Sequence, residues 1–137
     1  MSSSQIHPGP GNLVPFTERR KFLAATAIPK GTVVTFSGST GYTITTGSNI
    51  LPPIGVADEA IESGTWGDVV VHGFCDAVIC TAANVPDKAL LYAAAAGECT
   101  GQALGTDVSV LNGGEFGIAL VAHTDLLIPA AWIYKNI

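Results

Sequence analysis

Short runs of β-branched and aromatic residues recur along most of the chain, with turn formers between them. Thr32–Phe36, Tyr42–Thr46, Asp68–His72 and Phe116–Val121 have the composition of half-buried or buried strands. Pro29-Lys30-Gly31, Ser37–Gly41, Pro52-Pro53, Ser63-Gly64, Pro86-Asp87 and Asn112–Gly114 punctuate them as turns. Lys88–Ala96 carries an alanine run that favours helix, but its Leu90-Leu91-Tyr92 centre and its place in the repeat below predict strand. Many short strands at even spacing predict an all-β fold, a compact sandwich or barrel.

The pattern also repeats. Ile28–Thr35 aligns with Val85–Tyr92 at an offset of 57 residues, and Asp68–Val71 with Asp125–Ile128 at the same offset. Ile54–Ala57 aligns with Phe116–Ala119 at an offset of 62. Two related β units that bury each other's apolar faces are therefore expected within one domain, residues 22–137.

Residues 1–21 break the pattern. Pro8, Pro10, Pro15, Gly9 and Gly11 favour an extended path, and Glu18-Arg19-Arg20-Lys21 closes the segment. An extended N-terminal arm is expected here, with Leu13, Val14 and Phe16 as apolar docking groups and Arg19, Arg20 and Lys21 as charged ones. It carries +2, against three positive and ten negative charges in residues 22–137. Such an arm suits a neighbouring acidic surface.

Two stretches are apolar on both faces. Phe74–Cys80 presents Cys75, Ala77 and Ile79 on one side and Phe74, Val78 and Cys80 on the other. Leu126–Ile137 includes Trp132, Ile133 and Tyr134. Strands of this kind need cover on both sides, and neighbouring subunits are a natural source. Cys75, Ala77, Ile79, Trp132, Ile133 and Tyr134 are accordingly the expected oligomer interface.

Composition narrows the function further. Hydrophobic residues make up 47% of the 137 residues and charged residues 12%, a deficit of charge that points to surface covered by partners. With six Lys and Arg and a net charge of −5, the chain lacks the basic patches that neutralise phosphates, so no nucleic-acid partner is expected. No apolar run approaches the ~20 residues that span a bilayer, and the N-terminus has no signal-peptide pattern, so no membrane partner and assembly in a host cytoplasm are expected. Cys75, Cys80 and Cys99 are too few for a disulfide framework and are expected as buried thiols.

Catalytic chemistry finds little support. The glycine-rich runs match neither a phosphate cradle nor a nucleophile elbow. Along a strand, the spacings of His72, Cys75 and Cys80 put neighbouring pairs on opposite faces, which disfavours a metal site. Asp58, Glu59 and Glu62 read as a solvated acidic loop. No catalytic residues, cofactor or metal are expected. Trp66 and Trp132 could stack on sugar rings, which keeps a carbohydrate-binding sandwich of a fibre or adhesin as the alternative.

The order of features resembles the capsid decoration, or cement, proteins of bacteriophage heads. The resemblance rests on Phe22–Ala25, Ile28–Val34, Ile54–Ala57, Gly64–Phe74 and Phe116–Ala119, and spans about residues 20–137. It implies a β-rich subunit, commonly a homotrimer, on the outer surface of the virion. There it would tie neighbouring major capsid protein subunits together.

Overall fold

The computed structural model describes residues 17–48, 51–81, 85–102, 114–122 and 125–134. The strands are β1 (Thr17–Ala24), β2 (Val33–Phe36), β3 (Thr43–Thr46), β4 (Gly55–Ala57), β5 (Trp66–Cys75) and β6 (Val78–Ile79). They continue with β7 (Leu90–Ala93), β8 (Cys99–Gln102), β9 (Glu115–Ala119), β10 (Leu127–Ile128) and β11 (Ala131–Ile133). The alanine run contributes β7 and then one 3-10 turn, Ala95–Gly97. It is too short to offset helix nucleation, while Leu91 is fully buried and β7 is paired on both edges.

The first five strands close on themselves. They run β1-β3-β2-β4-β5, and β5 pairs back onto β1, making a small barrel. β1 is parallel to β3, and the other neighbours are antiparallel. Phe22, Ile44, Val34, Ala57, Val69 and Val71 fill its interior.

The second unit repeats this plan. β2–β4 pairing (Val33↔Val56, Val34↔Gly55) has its counterpart in β7–β9 (Leu90↔Ile118, Leu91↔Gly117). The parallel contact Ala24↔Ile44 returns as the bridge Cys80↔Cys99. Turn hydrogen bonds repeat too: Gly31 N donates to Ala57 O at 2.9 Å and Lys88 N to Ala119 O at 3.0 Å. The two-unit expectation is therefore met, with one correction. Val56↔Val70 and Ala57↔Val69 correspond to Ile118↔Trp132 and Ala119↔Ala131, so Val69-Val70 matches Ala131-Trp132, not part of Asp125–Ile128. Short Val- and Leu-rich runs resemble one another at several offsets, and hydrogen-bond register decides between them.

The units share a strand. β5 pairs with β11 (Cys75↔Ala131) and β6 with β10 (Val78↔Ile128) in one continuous register, so residues 66–80 close the first barrel and open the second. Val70 pairs with Arg19 of β1 on one edge and Val56 of β4 on the other, and Gly73 with Thr17 and Ile133.

This arrangement changes two expectations. Val33, Val56 and Val70, on the outside of the first barrel, belong to the second unit's core together with Leu91, Phe116 and Ile133. Cover for one face of the stretches apolar on both sides thus comes from within the chain itself. Cys75, Ala77 and Ile133, expected at an oligomer interface, are 1%, 6% and 0% exposed within the single chain. Residues 17–21, expected in the arm, belong to the barrel. They form the first part of β1, whose backbone pairs along β5 from Gly73 to Trp66. An unpaired strand edge is a stronger attraction for Thr17–Lys21 than solvent. Leu13, Val14 and Phe16 lie outside the described residues.

Candidate interaction surfaces

The basic cluster of β1 meets the acidic loop of its own chain. Arg19 Nε lies 2.6 Å from Asp58 Oδ2 and Lys21 Nζ 3.0 Å from Asp68 Oδ1, while Arg20 pairs with Glu18 at 2.7 Å. Glu59 Oε2 accepts from the Asp68 backbone N–H at 2.9 Å. The hydrogen bond to Asp58 raises the pKa of Arg19. Asp58 and Glu59 thus serve to hold β1 and the start of β5, a use that the density of acidic residues alone did not reveal.

The thiols are free and buried. Cys75 Sγ donates to Ala77 O at 3.2 Å, and burial pushes its pKa up to about 11. Cys80 and Cys99 lie with their sulfurs 3.2 Å apart at the parallel bridge. The hydrogen bond to Cys80, together with burial, holds Cys99 protonated well above the ordinary thiol range. His72 sits edge-on to Trp132, ring centroids 5.9 Å apart, away from this pair. His7 and His123 fall outside the described residues. Among the described residues no group of three or more His, Cys, Asp or Glu side chains converges as a metal site would require.

Two apolar surfaces stand out instead. At one end of the first barrel Trp66 is 54% exposed and Tyr42 46%, stacked on each other with centroids 5.5 Å apart and planes 19° from parallel. Phe36, 37% exposed, packs edge-on against buried Phe22 beside them. The second surface is a ladder across four strands of the second unit, Phe74–Trp132–Ile118–Leu90, each residue directly opposite the next and each half-buried. Of the expected interface residues, Trp132 lies in this ladder, and Ile79 and Tyr134 are half-buried. Phe36, Leu90 and Ile118 were not singled out by sequence. Comparing the two repeats position by position is the signal that finds them.

A shallow apolar depression of about 350 Å³ lies below the first barrel, lined by Ala27, Ile28, Pro29, Ala60, Ile61 and Glu62.

These surfaces sit on a fold that occurs elsewhere. The chain shares the fold of a phage head fiber protein. The matching structure is described as the head fiber gp8.5 N base of bacteriophage phi29, with a TM-score of 0.62 at 15% identity. The match covers 88% of this chain and 97% of the gp8.5 chain, so the likeness takes in both units. No family model matches this chain, and no curated protein matches it. The likeness to the gp8.5 base is thus a likeness of architecture.

Proposed function

We propose that this chain is a structural protein of a phage head, seated on the outer surface of the virion and binding the major capsid protein as a homotrimer. The observation that carries the reading is the fold likeness to the gp8.5 head fiber base over both units. It agrees with the order of motifs that resembles decoration proteins. The role is one of linkage, not catalysis. A protein that binds only the assembled shell stabilises it by RT ln(1 + [L]/Kd), about 2.7 kcal/mol per site at a hundredfold excess over Kd. A trimer that engages several capsid subunits gains further through effective concentration.

In this reading Leu13, Val14 and Phe16 precede β1 as the capsid-docking segment. Arg19, Arg20 and Lys21 flank it from the barrel surface, already paired with carboxylates. The test is co-sedimentation of the purified chain with heads stripped of their surface proteins, followed by electron microscopy. Saturable binding and a raised temperature of head disruption are expected. A variant lacking residues 1–16, which leaves β1 whole, is expected to fold and bind more weakly. Absence of the full chain from the sedimented heads would refute the proposal.

The exposed Trp66–Tyr42 stack favours a second reading, a carbohydrate-binding module, because flat aromatic faces suit sugar rings. Glycan-array binding that Trp66→Ala abolishes, without any attachment to heads, would select it.

A further inference from the structure

The contact between the two units is asymmetric. The first unit offers the outer faces of β2, β4 and β5, with Val33, Val56 and Val70 all fully buried in the second unit's core. The second unit receives them on β6 and the turn after β7. There Ile79 N donates to Gly31 O at 2.9 Å, and Gly97 N to Gly47 O at 2.9 Å. The repeat puts a copy of each side of this contact elsewhere on the molecule, one half-buried and the other partly exposed.

The positions equivalent to Val33, Val56 and Val70 are Leu90, Ile118 and Trp132, three rungs of the half-buried ladder. The positions equivalent to Ile79, Ala93 and Gly97 are Leu23, Phe36 and Tyr42, which lie at the aromatic end of the first barrel beside Trp66. One chain thus carries an offering face on its second unit and a receiving face on its first. The contact within the chain joins one face of each kind, never two of the same kind. It suits head-to-tail association, in which each copy's ladder seats on the next copy's aromatic end.

We infer that copies of this chain join head to tail, Leu90–Ile118–Trp132 of one copy against Phe36–Tyr42–Trp66 of the next, repeating between chains the contact that joins the two units within one. Where three copies close the ring, six barrels follow one another around it. The joint between chains is looser at one corner. A Cβ at Gly31 would lie 3.3 Å from Ala77 O, whereas the equivalent position carries Lys88. This inference gives the proposed homotrimer its contact and rests on that reading, but purified protein tests it without any head present. Failure here therefore leaves head attachment to its own assay.

The experiment is sedimentation velocity on three samples at the highest soluble concentration. The unaltered chain is expected at three times the monomer mass. Leu90→Glu/Ile118→Glu, which spoils the ladder, and Tyr42→Ser/Trp66→Ser, which spoils the aromatic end, are each expected at the monomer mass. Mixed one to one, the two variants retain one good face each of opposite kind, and a species of twice the monomer mass is expected. A folded variant that keeps the full mass, or a mixture that stays monomeric, overturns the inference. Should the ladder variant fail to fold, hydroxyl-radical footprinting of the unaltered chain across a dilution series decides the matter. Protection of Trp132 and of Tyr42 and Trp66 is expected to fall together as the mass falls. Loss of protection at one face alone, or at neither, overturns it.

Discussion

Lys88 stands in the second unit where Gly31 stands in the first, and both hold positive φ, 62° and 87°. Each donates its backbone N–H to the matching strand, Lys88 to Ala119 and Gly31 to Ala57. The turn geometry is thus retained where the glycine is not, and Lys88 bears the cost of a left-handed residue with a Cβ. Lys88→Gly is expected to raise stability by about 0.5–1 kcal/mol, net of the added freedom of the unfolded chain. A higher urea midpoint at unchanged slope is the measurement that checks it.

Gly55 and Gly117 form a second equivalent pair, placed where strands approach too closely for a side chain. A Cβ on Gly55 would collide with Val70 O, and one on Gly117 would lie 2.7 Å from Trp132 O. Both obstacles are backbone carbonyls of paired strands, which cannot rotate away. Gly55→Ala and Gly117→Ala are each expected to lower stability by about 2–4 kcal/mol, Gly55→Ala by more. Thermal denaturation of the two variants side by side tests the ranking.

The buried thiol Cys75 gives the fold an alkaline weakness. Its pKa is raised from 9.0 to about 11 by burial, so the folded state keeps its proton where the unfolded state has lost it. The stability tied to that proton is complete below pH 9, declines above it, and is gone above about pH 11. The loss is on the order of 2–3 kcal/mol. Urea titrations at pH 8 and at pH 11 are expected to show this difference in the natural chain and a smaller one in Cys75→Ala.

The Arg19–Asp58 pair lies at the surface, its side chains 46% and 23% exposed. A double-mutant cycle with Arg19→Ala and Asp58→Ala is expected to give a coupling of about 0.2–1 kcal/mol. Repeating the cycle in about 1 M salt is expected to reduce it, since exposed charges are screened there.

Much of the architecture can be read from the residues, because alternation and turn chemistry are local. The strands around Val33–Phe36, Thr43–Thr46 and Val69–Val71 fall where the pattern puts them, and Ile28–Thr35 finds its partner in Val85–Tyr92. What escapes is whatever depends on distant pairing. Asp125–Ile128 imitates Asp68–Val71 in composition, and only the register of β11 against β9 reveals Ala131-Trp132 as the true counterpart. Glu18–Lys21 reads as the end of a solvated arm because its charges are visible and the open edge of β5 is not. Cys75 and Ile133 read as an oligomer interface for the same reason, since the cover comes from within the chain and not from a neighbouring subunit. The candidate surfaces are less legible still. Trp66 draws notice as an aromatic residue, whereas Leu90 and Ile118 gain meaning only beside Val33 and Val56.

The stretch from Trp66 to Cys80, β5 followed by β6, has a mechanical consequence. Since β5 pairs with β1 and β4 in the first barrel and with β11 in the second, backbone hydrogen bonds as well as chain connectivity tie the two barrels together. Force applied where β1 begins meets the long β1–β5 register, which runs from Thr17↔Gly73 to Leu23↔Trp66. A clasp built this way resists tearing better than two beads on a string.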